Sequence, residues 1–122
     1  MKPILLRGHE KPISIVKFNF DGDLLFTGAA EKRVNLWYSL SGERIGSYET
    51  KGAVKTLDVT NDSTYLAVGT LVGTVEFFKV DGGQFLGALS LEAKIKTVQF
   101  SYGDKKLLVV MILPSISKTI AR

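Results

Sequence analysis

Residues 41 positions apart in this chain match: Ile13, Val54 and Ile95; Val16, Leu57 and Val98; Phe18, Val59 and Phe100. The same offset aligns Leu25, Leu66 and Leu107, and it pairs Asp21 with Asp62, Gly28 with Gly69, Val34 with Val75, Leu36 with Phe77, Trp37 with Phe78 and Gly42 with Gly83. Self-similarity at a period of about 40 to 45 residues marks an array of four-stranded blades, in which each unit buries its apolar faces only by stacking on a neighbour. The fold is therefore expected to be all-β, built from antiparallel four-stranded sheets.

Within one copy the apolar segments are short, rich in β-branched and aromatic residues, and separated by turn residues, as strands are. The first copy predicts strands at Ile13–Phe18, Leu24–Thr27, Val34–Trp37 and Arg44–Tyr48. The second predicts Val54–Val59, Tyr65–Val68, Val75–Phe78 and Gln84–Leu89. Asn19 to Asp23, Ser39 to Gly42, Asn61 to Ser63 and Asp81 to Gly83 carry the Asn, Asp and Gly residues that tight connections need. A third copy runs from Ile95–Phe100 to Leu107–Val110, and the match to the repeat ends near residue 111, with Pro114 beyond it. No segment has a helical period.

At 122 residues, with 45% apolar and 23% charged residues, the chain has the make-up of one ordinary domain. It has no Cys and one His, so a disulfide framework, a Cys-based zinc site and a thiol nucleophile are excluded. The longest apolar run, Leu107 to Leu113, has seven residues, against roughly 20 for a membrane-spanning helix. The opening Met1 to Arg7 is too short for a signal-peptide core. These features lead to the expectation of a soluble, unexported, cytoplasmic protein with no membrane contact.

The net charge of +4 is uneven, with 10 basic and 11 acidic residues up to position 92 and six basic residues against one acid, Asp104, from position 93 onward. A basic end can face RNA, and Tyr48 and Tyr102 are candidates to stack on bases. Lys94, Lys96, Lys105 and Lys106, however, alternate with apolar residues as solvated strand positions do. No enzyme constellation is present. Gly69 to Gly73 and Asp81-Gly82-Gly83 lack the following Lys-Ser/Thr pair and the helix of a phosphate loop, and read as turns. Ser14, Ser39 and Ser63 have no general base besides His9. Asn61-Asp62-Ser63 fits a glycosylation acceptor, but a turn accounts for it.

The run Leu6-Arg7-Gly8-His9-Glu10, with Val34-Asn35-Leu36-Trp37 closing 28 residues after His9, resembles the WD40-repeat family. That resemblance implies a hydrogen-bonded ring inside the blade, which on this chain falls on His9, Thr27, Glu31 and Trp37. Such a ring satisfies polar groups whose burial without partners would cost about 1–3 kcal/mol each. Glu31 stands where the family has Asp, one methylene shorter. With no second His and no Cys, His9 is read as this structural residue, not as a metal ligand or base, and no metal or cofactor is expected. The second copy has Thr50, Val68, Val72 and Phe78 at the four ring positions and is expected to rely on apolar packing alone.

Longer runs narrow the resemblance. Met1 to Glu10, Gly22 to Thr27, Asn35 to Ser39 and Gly42 to Arg44, with weaker echoes at Thr50–Val54 and Lys96–Phe100, are similar to the subunit I family of eukaryotic translation initiation factor 3. The resemblance implies blades of a seven-bladed propeller, about three of them here, acting as a non-enzymatic scaffold on the small ribosomal subunit. It also implies subunits B and G as partners and no small-molecule substrate, and it transfers no partner-binding residue. The repeats are expected to span residues 1–110, at about 7–48, 49–90 and 91–110, with a divergent tail at 111–122. Three blades leave strand edges unpaired, and Lys2 to Leu6 would belong to the outer edge of a last blade. The alternatives are a truncated fragment that self-assembles or binds other proteins, and RNA binding through the basic last quarter. Leu107 to Leu113 has the profile of an aggregation-prone window.

Overall fold

The structure is a computed structural model that describes residues 5, 7–101, 103 and 105–112. Ten strands form β1 (Ile13–Phe18), β2 (Leu24–Ala29), β3 (Arg33–Tyr38), β4 (Arg44–Glu49), β5 (Val54–Val59), β6 (Tyr65–Thr70), β7 (Thr74–Lys79), β8 (Phe85–Ser90), β9 (Lys94–Phe100) and β10 (Leu107–Ile112). They make two four-stranded antiparallel meanders, β1-β2-β3-β4 and β5-β6-β7-β8, and a third sheet in which β9 pairs with β10. The described residues thus hold two complete blades and the first two strands of a third, a partial propeller with no helix among them.

Turn chemistry closes the meanders. In the first turn Gly22 has φ 79° and donates its N–H to the Asn19 carbonyl at 3.1 Å, while the Asn19 N–H reaches Leu24 O. Asp62 and Ser63 take the corresponding turn of the second blade, with Ser63 itself at φ 63°. β2 and β6 each run two residues past their expected ends at Thr27 and Val68, because Ala29 and Thr70 still pair with Ile13 and Val54 of the neighbouring strands. β10 likewise continues through Met111 and Ile112, paired with Ile95 and Lys94. From Leu113 the expected tail lies outside the described residues, as do Met1 to Ile4 and Leu6.

Register decides what each face does. In blade one, Phe26 pairs with Leu36 and Gly28 with Val34, so these point to one side, whereas Leu25 with Trp37 and Thr27 with Asn35 point to the other. The first side packs on blade two: Phe26, Val34, Leu36 and Tyr48 join Val54, Leu57, Val59, Leu66, Val68, Phe78 and Val80 in one buried cluster. Rings from both blades run through it, with Phe26 and Tyr48 centroids 6.5 Å apart and Tyr48 and Phe78 5.5 Å apart. The far side of blade two packs on the third sheet through Ala67, Val75, Ile95 and Val98. Glycines permit the close approach: a β-carbon at Gly28 would run into Val54 of blade two, and one at Gly69 would stand 3.0 Å from Ile95 of the third sheet.

The blades meet along β1, β5 and β9, the first strand of each sheet, with β5 touching both others. Residues 41 apart therefore come face to face. Thr56 and Thr97 hydroxyls lie 3.5 Å apart, and Lys17 Nζ is 2.9 Å from Asp58 Oδ1. All three strands also bulge at one repeat position, since the pairing skips Ser14 in β1, Lys55 in β5 and Lys96 in β9.

Candidate functional site

The segment ahead of β1 lies over the face of blade one that points away from blade two. His9 Nδ1 stands 2.7 Å from Glu31 Oε1, its Nε2 is 2.6 Å from Thr27 Oγ1, and Trp37 Nε1–H donates to the same Thr27 oxygen at 2.9 Å. Because the indole nitrogen only donates, every group is satisfied when Thr27 gives its proton to Nε2 and His9 carries its own on Nδ1, toward Glu31. Thr27 is held at the sheet centre by β2, Trp37 comes from β3, and Glu31 is delivered by the β2–β3 turn, where Lys32 adopts φ 66°. The longer Glu31 side chain reaches His9 and also accepts the Glu10 N–H at 3.1 Å. Burial pulls its carboxyl pKa up, but the hydrogen bonds from His9 and from the Glu10 and Lys11 backbone outweigh burial and hold it below its ordinary value. Gly8 lies flat on the ring, where a β-carbon would stand 2.6 Å from the indole, and its carbonyl accepts from Asn35 Nδ2 at 2.8 Å.

Both nitrogens of His9 are thus engaged, and its side chain is 3% exposed. The arrangement orders a loop against a sheet. Among the described residues no group of three or more His, Asp or Glu side chains could hold a metal ion.

The second blade departs from the expectation of apolar packing alone. Glu76, on β7 and 1% exposed, accepts the Lys51 N–H at 3.0 Å and the Thr74 hydroxyl at 3.0 Å, and Thr74 lies 2.6 Å from the Thr70 hydroxyl. Lys51 stands 41 residues after Glu10. The same loop N–H is therefore captured by a carboxylate in both blades, from a turn in one and from a strand in the other. The signal in the sequence was Glu76 itself, a polar residue aligned with Asn35 inside an otherwise apolar strand.

A third polar group binds the blades to one another. Asp58, on β5, forms its ion pair with Lys17 of β1 and accepts the Phe100 N–H of β9 at 2.7 Å through its other oxygen. One carboxylate thereby ties three sheets, above a cleft of about 250 Å³ lined by Phe18, Phe20, Asn61 and Gln99 among others. Its signal was also present, because the repeat column 17, 58 and 99 reads Lys, Asp, Gln.

One apolar face remains open. Val16 and Phe18, each 55% exposed, lie on the face of blade one that no described sheet covers. The aromatics proposed for base stacking do not supply a platform: Tyr48 is 3% exposed and donates its hydroxyl to Val80 O at 2.7 Å, a correction that follows from its place between blades. Tyr102 lies outside the described residues.

The profile of the WD domain, G-beta repeat, matches residues 2–38. Over 110 residues the chain is 46% identical to eukaryotic translation initiation factor 3 subunit I of Dictyostelium discoideum, and over 111 residues 40% identical to that of Schizosaccharomyces pombe. Each match covers 90% of this chain, which spans about a third of those relatives, 33% and 34% respectively. A crystal structure of RRP9 WD40 repeats superposes with a TM-score of 0.80 at 20% identity, covering 85% of this chain and 34% of the other, a likeness of fold. Residues 2–38 thus match a WD40 repeat, and the chain is similar, over nine-tenths of its length, to subunit I of eukaryotic translation initiation factor 3.

Proposed function

We propose that this chain is a non-enzymatic protein–protein scaffold of translation initiation, acting in the cytoplasm as the subunit I component of initiation factor 3 or as a part of it. The observation that carries this reading is the 40–46% identity to curated subunit I sequences over 90% of the chain. The make-up of the blades supports it. Their buried polar groups are consumed in holding loops and sheets together, which leaves surfaces and not a reaction centre for outside contacts. The repeats at about 7–48, 49–90 and 91–110 are the working units in this proposal. Subunits B and G of the factor are the proposed partners, with the small ribosomal subunit reached through them, and neither a cofactor nor a small-molecule substrate is involved.

The test is affinity capture of the tagged chain from cell extract, with mass spectrometry of what co-purifies and gradient sedimentation of the captured material. Recovery of initiation factor 3 subunits, B and G among them, co-sedimenting with small ribosomal subunits is the expected result. A folded chain that recovers none of these subunits overturns it.

A further inference from the structure

We propose that the cleft between β5 and the start of β9 is a docking site for an acidic protein segment that carries an apolar side chain. This cleft, of about 400 Å³, is lined by Lys55, Leu71, Lys94, Ile95 and Lys96. The repeat accounts for the convergence. Lys55 and Lys96 occupy one repeat position, the bulged one, and residues 41 apart on neighbouring first strands face each other, as Thr56 with Thr97 and Lys17 with Asp58 do. A bulge leaves its extra residue out of the ladder and re-aims the side chain. In β1 the equivalent Ser14 turns its hydroxyl to the Val54 carbonyl of the next blade. In β5 and β9 the same position presents an ammonium group, and Lys94 adds a third.

All three lysines are exposed, and among the described residues none of them is in an ion pair. By contrast, Lys17, at the other end of β1, has Asp58 to neutralise it. Three like charges around one cleft repel while it is empty, and carboxylates entering it remove that repulsion. The remaining lining is apolar: Ile95 forms the buried floor, and Leu71 stands at the mouth, 63% exposed, its loop held by the Leu71 N–H to Ala53 O bond at 2.8 Å. Among the described residues no aromatic ring lines the cleft, so nucleobases find none to stack on there. An acidic peptide with a leucine-like side chain matches both parts of the lining, whereas a nucleic acid matches only the lysines.

Fluorescence anisotropy with a labelled peptide of aspartate and glutamate around one central leucine tests this on the full chain. Binding that weakens with added salt is expected. Lys55→Ser with Lys96→Ser should weaken it about tenfold, at roughly two- to fivefold for each exposed charge, and Leu71→Ser should weaken it by about tenfold through lost apolar contact. In the unmodified chain, the peptide should shift the amide resonances of Lys55, Leu71 and Lys94 to Lys96 before any others, a readout that needs no variant to fold. Binding unaffected by the double substitution overturns the proposal, as do shifts confined to other surfaces. So does displacement of the peptide by a single-stranded oligouridine that binds more tightly, which would make the cleft a nucleic-acid surface. None of these outcomes depends on recovery of initiation factor subunits.

Discussion

At the residue scale, Thr27 is the hinge of the polar ring, because one hydroxyl serves both His9 and Trp37. Thr27→Val removes that oxygen at nearly constant shape and leaves two buried nitrogens without partners. It should lower the unfolding free energy by about 2 kcal/mol in denaturant titration, with Thr27→Ser recovering most of the loss. Glu76 is tested by contrast: Glu76→Leu strands the Lys51 N–H, leaves the Thr74 hydroxyl with Thr70 as its side-chain partner, and should cost about 1–3 kcal/mol, whereas Glu76→Gln keeps an acceptor and should cost less. Two titrations set the pH limits. Glu31 is held below its ordinary value of 4.5 in the folded chain, so the unfolded chain takes up this proton first as pH falls. The ring's contribution is present above pH 4.5, disappears as pH drops through the lowered folded value, and loses this acid dependence in Glu31→Gln, as thermal unfolding across the acid range would show. Burial, and then the charge of Asp81, pushes the Tyr48 phenol up to about 12 from 10.0. The unfolded tyrosine ionises first, so stability falls as pH rises from about 10 to about 12, and Tyr48→Phe should flatten that alkaline limb.

At the element scale, the periods of the chain carry most of the information. Alternation at period two set β1 and β5 at the residues expected, and the turn glycines and asparagines marked where each meander reverses. The ends of β2 and β6 were less legible, because Ala29 and Thr70 are carried into the sheet by pairing with Ile13 and Val54 of the preceding strands. β10 carries an apolar edge: it pairs with β9 alone among the described strands, and Leu108 is 59% exposed upon it. A long apolar edge of this kind recruits other chains. Leu108→Lys should therefore slow concentration-dependent association, measured by static light scattering, while leaving the far-ultraviolet circular dichroism spectrum unchanged.

At the scale of the whole molecule, cohesion rests on the interblade apolar clusters, and Asp58 joins all three described sheets on one carboxylate. Asp58→Ala should cost about 2 kcal/mol, since it removes charge-assisted bonds in a buried place. Amide exchange should then accelerate more in β9 and β10 than in β2 and β3, which the interblade cluster still holds. By itself, the amino-acid order determined the strands, their turns and the stacking of blades, because a period of two and a period of 41 are local and repeated facts of composition along the chain. The tertiary structure alone decided the partners: that Glu31 and Glu76 reach the same loop amide from different elements, that Tyr48 is sealed between blades, and that Lys55, Lys94 and Lys96 share one cleft. The first depends on how the loop ahead of each sheet folds back over its own blade, and the other two on the rotation and spacing between neighbouring sheets, which bring side chains from separate repeats together and which no pattern inside a single repeat encodes.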